Sequence, residues 1–256
     1  TAILSPSGGS VGIGFATPAN TVQPVIDQLQ QFGETRRGWL GVRIQNVDDA
    51  IAETLGLGAT RGALVAGVDD KGPSKPAGLK AGDVITKFDG KPIKESRDLP
   101  KLVAATPVGK DVELVIMRGG KEMSKTVKLG RLEDGEKVAA KDNGASKDKP
   151  ENGGGPSQSV LGLELSRLSD DVRARFQIKD SVKSGVVITA VDPRSEAAEK
   201  RLQPGEILLE VNQEPVSDPA DAAKKIKALK DAGKKTALLA ISNAQGDAHF
   251  IALPVE

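Results

Sequence analysis

Residues 41–57, GVRIQNVDDAIAETLGL, recur without a gap as residues 162–178, GLELSRLSDDVRARFQI. The apolar positions coincide: Val42 with Leu163, Ile44 with Leu165, Val47 with Leu168, Ile51 with Val172, Leu55 with Phe176 and Leu57 with Ile178. A second run, Gly62 to Ile93, aligns on Gly185 to Val216 and shares Val68/Val191, Asp69/Asp192, Leu79/Leu202, Gly82/Gly205 and Pro92/Pro215. The offset changes from 121 to 123 in a loop, 58–61 against 179–184. Copies of about 100 residues are too long for solenoid units and fit two duplicated globular domains.

Each copy reads as many short strands and one longer helix. In the first, Leu40 to Val47 alternates apolar and polar residues like a half-buried strand. A short helix follows, with Asp48 or Asp49 as its N-cap and Gly56 near its end. The strand Ala63–Val68, a turn or short helix over Pro73–Leu79 and the strand Val84–Phe88 come next, and Asp89-Gly90 is a hairpin-type turn. A longer helix from about Arg97 to Ala105 stops at Thr106-Pro107, and Val112–Met117 and Met123–Leu129 form a hairpin closed at Gly119-Gly120. The second copy repeats this, with a helix from Pro219 to about Lys230 and a last hairpin turning near Gln245-Gly246-Asp247. The expected class is mainly β, or α+β: two small, partly open barrels, each with a helix on its side.

Between the copies lies EDGEKVAAKDNGASKDKPENGGGPSQ, residues 133–158. Val138 is its one branched or bulky apolar residue, so the stretch cannot bury enough to order itself. A flexible coil of this length spans roughly 25–30 Å, which leaves the two domains semi-independent. Residues 1–35 belong to neither copy. Ala2-Ile3-Leu4 and Val11 to Ala16 read as a hairpin around the loop Ser5–Ser10. Val22, Val25, Ile26, Leu29 and Phe32 then mark one face of a helix, with Asn20 as N-cap and Gly33 as its stop. A lone hairpin and helix cannot make a domain, so their partner is expected on the N-terminal side.

Composition excludes several function classes. The 256 residues carry 36 Lys+Arg against 35 Asp+Glu, and a net charge of +1 does not suit a nucleic-acid or anionic-membrane binder. No apolar run nears the ~18 residues that span a bilayer; Ala237-Leu238-Leu239-Ala240-Ile241 is typical of the longest. Zero Cys excludes disulfides, thiolate metal sites and a cysteine nucleophile, and one His excludes a multi-His site. No metal and no cofactor is expected. Residue 1 is Thr and nothing at the start reads as a signal peptide, so the chain is expected to be a piece of a longer protein or a processed product.

The motif with binding chemistry is Gly38-Trp39-Leu40-Gly41-Val42. A glycine-containing turn directly before a strand can point successive backbone N–H groups into one concavity, a nest suited to a carboxylate. If the following strand has a free edge, an extended peptide can add to it through Val42 and Ile44 with its C-terminal carboxylate in the nest. The helix from Arg97 then supplies the other wall, with Leu99, Leu102 and Val103. In the second copy Val160, Leu161, Gly162 and Leu163 are the candidate nest and Ala222 and Ile226 the helix wall. An ordinary turn feeding a core strand is the alternative. Arg36 and Arg37 precede only the first nest; Ser157-Gln158-Ser159 stands before the second, so the first is expected to bind C-termini more strongly.

Trp39-Leu40-Gly41-Val42 and Val160-Leu161-Gly162-Leu163 resemble the carboxylate-binding loop of PDZ domains. The run Pro76-Ala77-Gly78-Leu79-Lys80-Ala81-Gly82-Asp83-Val84-Ile85, with Asp89-Gly90-Lys91-Pro92-Ile93, resembles PDZ domains attached to bacterial proteases. Gly12-Ile13-Gly14-Phe15-Ala16-Thr17-Pro18-Ala19-Asn20 and Arg37-Gly38-Trp39-Leu40-Gly41-Val42 resemble the end of the protease domain, and its join to the first PDZ domain, in HtrA (DegP/Do-like) serine endopeptidases. The resemblance is weaker in the second domain, where Gln203-Pro204-Gly205-Glu206-Ile207 departs from the commoner form, and Thr17 stands where the family usually has a branched aliphatic. It implies residues 1–35 as the remnant of a chymotrypsin-like barrel, 36–132 and 159–256 as tandem PDZ domains, and 133–158 as a linker.

The same resemblance implies a periplasmic location, unfolded or misfolded protein C-termini as partners, and a parent that oligomerises through its protease domain. Charge and hydropathy, as above, lead to the expectation of no nucleic acid and no membrane insertion. The family's triad Ser lies in a Gly-Asn-Ser-Gly-Gly context that this chain lacks. Ser7-Gly8-Gly9 falls in the loop that, in the family, follows the nucleophile, and its one candidate base, His249, sits in the last hairpin as an ordinary strand residue. The chain is therefore expected to be a peptide-binding regulatory segment rather than an enzyme. A partial record of a complete endopeptidase and a free-standing scaffold are the alternatives. Asp48-Asp49 and Asp170-Asp171 read as helix caps, Gly12-Ile13-Gly14 lacks the Lys of a phosphate loop, and Lys224, Lys225, Lys227, Lys230, Lys234 and Lys235 read as a solvated face.

Overall fold

The computed structural model describes residues 2–3, 14–132, 158–179 and 182–255. At the start, β1 (Ala2–Ile3) and β2 (Gly14–Phe15) pair antiparallel, and α1 (Ala19–Phe32) follows. The first repeat contains β3 (Gly38–Trp39), β4 (Val42–Gln45), α2 (Asp49–Thr54), β5 (Ala63–Val68), β6 (Val84–Phe88), β7 (Lys91–Pro92), α3 (Asp98–Ala104), β8 (Asp111–Arg118), β9 (Lys121–Lys128) and β10 (Gly130–Arg131). The second contains β11 (Gln158–Val160), β12 (Leu163–Arg167), α4 (Asp170–Phe176), β13 (Val186–Val191), α5 (Glu196–Glu199), β14 (Ile207–Val211), β15 (Glu214–Pro215), α6 (Pro219–Asp231), β16 (Thr236–Ser242) and β17 (Ala248–Pro254).

Each repeat is built on one main antiparallel sheet with a helix at its side, and in the first a separate ribbon pairs β3 with β10. The order is β4-β5-β6-β8-β9 in the first, with β7 on β6, and β11-β12-β13-β14-β16-β17 in the second, with β15 on β14. Period-2 alternation sorts the side chains. Ala63, Val65, Ile85, Phe88, Val112, Leu114 and Ile116 point into the first core, which Leu99 and Val103 of α3 close. Leu163, Leu165, Val186, Ile188, Leu239 and Ile241 do the same in the second, closed by Ala222 and Ile226 of α6.

Local punctuation follows the chemistry, with two adjustments. Asp48 caps α2 by accepting from Ile51 N–H at 2.8 Å, whereas Ser169 caps α4 and Asp170-Asp171 occupy its first turn. Gly33 closes α1 at φ 71°, its N–H donating to Leu29 at 2.9 Å. The helix starts at Ala19 behind Pro18, so Asn20, the expected N-cap, lies inside it. Along α1 the face bearing Val25, Ile26, Leu29 and Phe32 stays 40–47% exposed, even with Arg36 over the Phe32 ring. The expected loop Ser5–Ser10 and the segment 133–157 lie outside the described residues.

The expected independence of the two repeats is overturned by a core they share. Ile51, Ala52, Leu57, Leu64 and Val84 of the first repeat pack with Leu238, Ala240, Phe250 and Ala252 of the second. Polar contacts frame that contact. Gln45 donates to Phe250 C=O at 2.8 Å and accepts from Phe250 N–H at 2.7 Å, and Gln213 donates to Gly82 C=O at 2.9 Å. Thr54 and Thr236 hydroxyls lie 2.6 Å apart. A linker's composition sets only its own stiffness; it says nothing about the faces it joins.

Candidate peptide-binding site

The lead-in to the first repeat is held away from the sheet. Gly38–Trp39 pairs with Gly130–Arg131. At residue 38 a Cβ would stand 2.3 Å from Val103 C=O and 2.8 Å from Thr106 C=O, so only glycine lets this segment lie against the C-terminal end of α3. Gly41 is left-handed at φ 68°, and a Cβ there would meet Gly72 Cα at 2.7 Å. Leu40 anchors the turn in the core, and the turn's carbonyls are used: Leu40 C=O accepts from Ser74 N–H and Gly41 C=O from Asp69 N–H.

The amides of that turn have no such use. Leu40 N–H and Gly41 N–H donate to no group among the described residues. Val42 stands opposite Val68 in a pair flanked by the Asp69-to-Gly41 bond, so its own N–H and C=O face away from β5. A bulge between Arg43 and Ile44 restores the phase. Ile44 is opposite Val65, whose N–H and C=O bond to Asp83 and Gly82, so Ile44 also presents its peptide groups outward. β4 is the terminal strand of its sheet. Val42, Ile44 and Leu102 pack half-buried against the first core, while Leu99 and Val103, expected as the groove wall, are 2% and 6% exposed and belong to that core. At the far end Ser96 hydroxyl donates to the Asn46 side chain.

Of the charge near the turn, Arg36 is engaged elsewhere. Arg36 lies over the Phe32 ring, 4.2 Å from its centroid, and pairs with Glu34, which also holds Arg131 at 2.8 Å. The hydrogen bond from Arg131 leads in holding the Glu34 carboxyl below its ordinary range. Trp39, half-buried, packs beside Gly41 and Gly130.

The second repeat differs at the matching place. Val160 and Leu163 pair across a two-residue turn, Leu161-Gly162, at φ 53° and 75°. Both values are positive, as a type I′ hairpin requires. β11 therefore lies along β12, with Gln158 opposite Leu165. The expected open nest of Val160, Leu161, Gly162 and Leu163 is thus a closed hairpin, with Val160 and Leu161 packed on the core and α6 against β11. Ala222 and Ile226, expected as groove wall, are buried. Sequence reading missed the hairpin because its turn carries Leu161 where Asn or Asp gives the usual signal.

Residues 38–129 and 154–241 each match a family model described as PDZ domain. The chain carries two PDZ domains. It is 38% identical over 255 residues to the probable periplasmic serine endoprotease DegP-like of Rhizobium meliloti (strain 1021), covering 100% of this chain and 48% of that one. Against the protein of the same name from Bartonella henselae the identity is 40% over 260 residues, covering 100% and 47%. The chain thus spans about half the length of the curated relatives it matches. Among solved structures it is similar to HtrA-type protease AlgW with decapeptide, at 40% identity and a TM-score of 0.46, covering 51% of this chain and 40% of that one. Among the described residues no helix is long and apolar enough to cross a membrane, and no group of three or more His, Cys, Asp or Glu is placed to hold a metal ion.

Proposed function

We propose that the first PDZ domain captures extended, apolar C-termini of unfolded or misfolded proteins by strand addition, as the regulatory segment of a periplasmic HtrA-like serine protease. The observation that carries this reading is that, among the described residues, the outer edge of β4 is unpaired and is continuous with the unbonded amides of Leu40 and Gly41. An incoming strand antiparallel to β4 would exchange backbone hydrogen bonds with Val42 and Ile44, and its carboxylate would meet the Leu40 and Gly41 amides. Its last side chain would rest on Val42, Ile44 and Leu102, worth about 1.5–3 kcal/mol if fully buried. Gln45, bonded twice to Phe250, fixes the end of β4 from the second domain and preorganises the edge.

In this reading residues 1–35 are the closing hairpin and helix of a protease barrel. The exposed stripe on α1 is what such a helix presents when the rest of the barrel is elsewhere. The Ser-His-Asp chemistry belongs to that barrel and not to the 256 residues, whose single histidine, His249, stands on β17 paired with Ile241. Assembly of the parent would likewise run through the barrel.

Trp39 is the one tryptophan and lies beside the nest, so its fluorescence is the natural readout. A short peptide ending in Val with a free carboxylate is expected to bind with micromolar affinity, about −8 kcal/mol. Its C-terminal amide should bind about tenfold more weakly or worse, from the lost charge-assisted hydrogen bonds. Equal affinity of acid and amide overturns the carboxylate nest. Casein hydrolysis by the purified chain overturns the assignment of catalysis to the barrel.

A further inference from the structure

The two PDZ domains place equivalent residues at equivalent edges and treat them differently. Val42 and Ile44 of β4 correspond to Leu163 and Leu165 of β12. The inner side of both strands is the same: Asp69 N–H donates to Gly41 C=O and Asp192 N–H to Gly162 C=O. Ile188, opposite Leu165, spends its N–H and C=O on Glu206 and Gly205, as Val65 does on Asp83 and Gly82. The outward peptide groups of Leu163 and Leu165 are therefore homologous to the free ones of Val42 and Ile44, and β11 takes them.

The direction and register of β11 are those of a captured chain end. It runs antiparallel to β12 and finishes at the turn, with Val160 opposite Leu163 and Gln158 opposite Leu165. Val160 packs on the second core beside α6, where the last side chain of a bound peptide would sit, while Gln158 and Ser159 remain exposed. One substitution between the repeats coincides with the divergence. Ser159 stands where the first repeat has Gly38. A Cβ at Gly38 would overlap the carbonyls that end α3, so a serine at that place of the first repeat could not take the route that Gly38 takes. The matching lead-in instead folds back onto the sheet edge.

We infer that β11 is an internal ligand of the second PDZ domain: it occupies the groove in place of a C-terminus, and that groove accepts an external chain end only when β11 leaves it. The assignment of a C-terminal peptide as the displaced ligand rests on the function proposed for the first domain; the occupancy by β11 does not. The first domain is then the receptive one at rest, and the second is held in reserve.

Hydrogen exchange on the full chain separates the two points. With no peptide present, the Leu163 and Leu165 amides should exchange at least about a hundredfold more slowly than those of Val42 and Ile44. Gln158→Pro removes a donor from the outer pair, and Val160→Asp removes the apolar anchor. Either should cost Leu163 and Leu165 about tenfold or more of their protection, with the β16–β17 amides unchanged as the folding control. Calorimetry with the Val-ending peptide should give one equivalent for the unaltered chain and two for the variants. Unprotected Leu163 and Leu165 in the unaltered chain, protection surviving in both variants, or one equivalent throughout would each overturn the inference. If the peptide binds nowhere, the proposed function and the peptide-exclusion half of the inference fall together, and the exchange data still decide whether β11 fills the groove.

Discussion

The hairpin β8–β9 turns Glu113, Val115, Ser124 and Thr126 away from its core; β16–β17 puts Leu238, Ala240, Phe250 and Ala252 at the matching places. Glu113, Ser124 and Thr126 are exposed in the first repeat, whereas their counterparts are 1–3% exposed in the shared core. The same strand pair is one-sided in one copy and two-sided in the other. Duplication thus conserved the inward face, which each domain needs for its own core, and left the outward face free to become an interface. The grooves diverged in the same way: the inner bonds of β4 and β12 match, and only the outer edge differs.

The largest expected effect tests the shared core. Phe250→Ala should cost about 3–5 kcal/mol, because a 3% exposed aromatic leaves a cavity between domains, while Ser124→Ala at the matching surface should stay within about 0.5 kcal/mol. Urea denaturation of both variants checks this, and comparable losses would break the contrast.

The second comparison concerns a buried charge. Asp83 is fully buried, accepts from Lys80 N–H, and binds Arg118 through two contacts of 2.6 and 2.7 Å. Its hydrogen bond raises the Arg118 pKa above the ordinary value, so the guanidinium stays charged. Glu206, the counterpart, caps Gln203 N–H in the same way but is half-buried and forms no ion pair among the described residues. Asp83→Asn should cost about 3 kcal/mol, since it leaves a cation without its partner, whereas Glu206→Gln should cost about 0.5 kcal/mol or less. Similar melting shifts for the two would refute the distinction.

Gly38→Ser gives the first lead-in the residue of the second. A clash with backbone carbonyls should destabilise by about 1–3 kcal/mol and loosen β3 from β10, read as faster exchange at Arg131 and Leu132. Unchanged exchange would remove the steric account of why the repeats part company.

The smallest effect is a pH signature. Burial pushes the Glu210 carboxyl up from its ordinary value, and Lys87 occupies the matching place in the first repeat. A carboxyl with a raised folded pKa binds its proton more readily in the native state. The penalty is therefore full above that folded pKa and fades as pH falls through it and then through the unfolded value. Glu210→Gln should raise the melting temperature at pH 7, with the gain shrinking in acid. A gain that persists undiminished at low pH would point to packing instead of charge.

Repetition, alternation and turn chemistry were legible in the chain itself. Ala63–Val68 and Val84–Phe88 are strands over the very residues that the pattern marks, and Pro219 opens α6. These are local signals, set by side-chain period and by what Gly, Pro and Asp do to a backbone. The glycine turn at Gly41 was also readable, because a glycine directly before an alternating strand marks a left-handed turn in place. What the chain did not disclose is which faces meet. Ala237 to Ile241 looked like an unremarkable apolar run, yet a strand apolar on both faces must be buried on both. The close lie of Gly38 against the end of α3, which leaves no room for a Cβ, accompanies the open edge of β4. Such distances exist only between segments remote in sequence, so no local pattern encodes them.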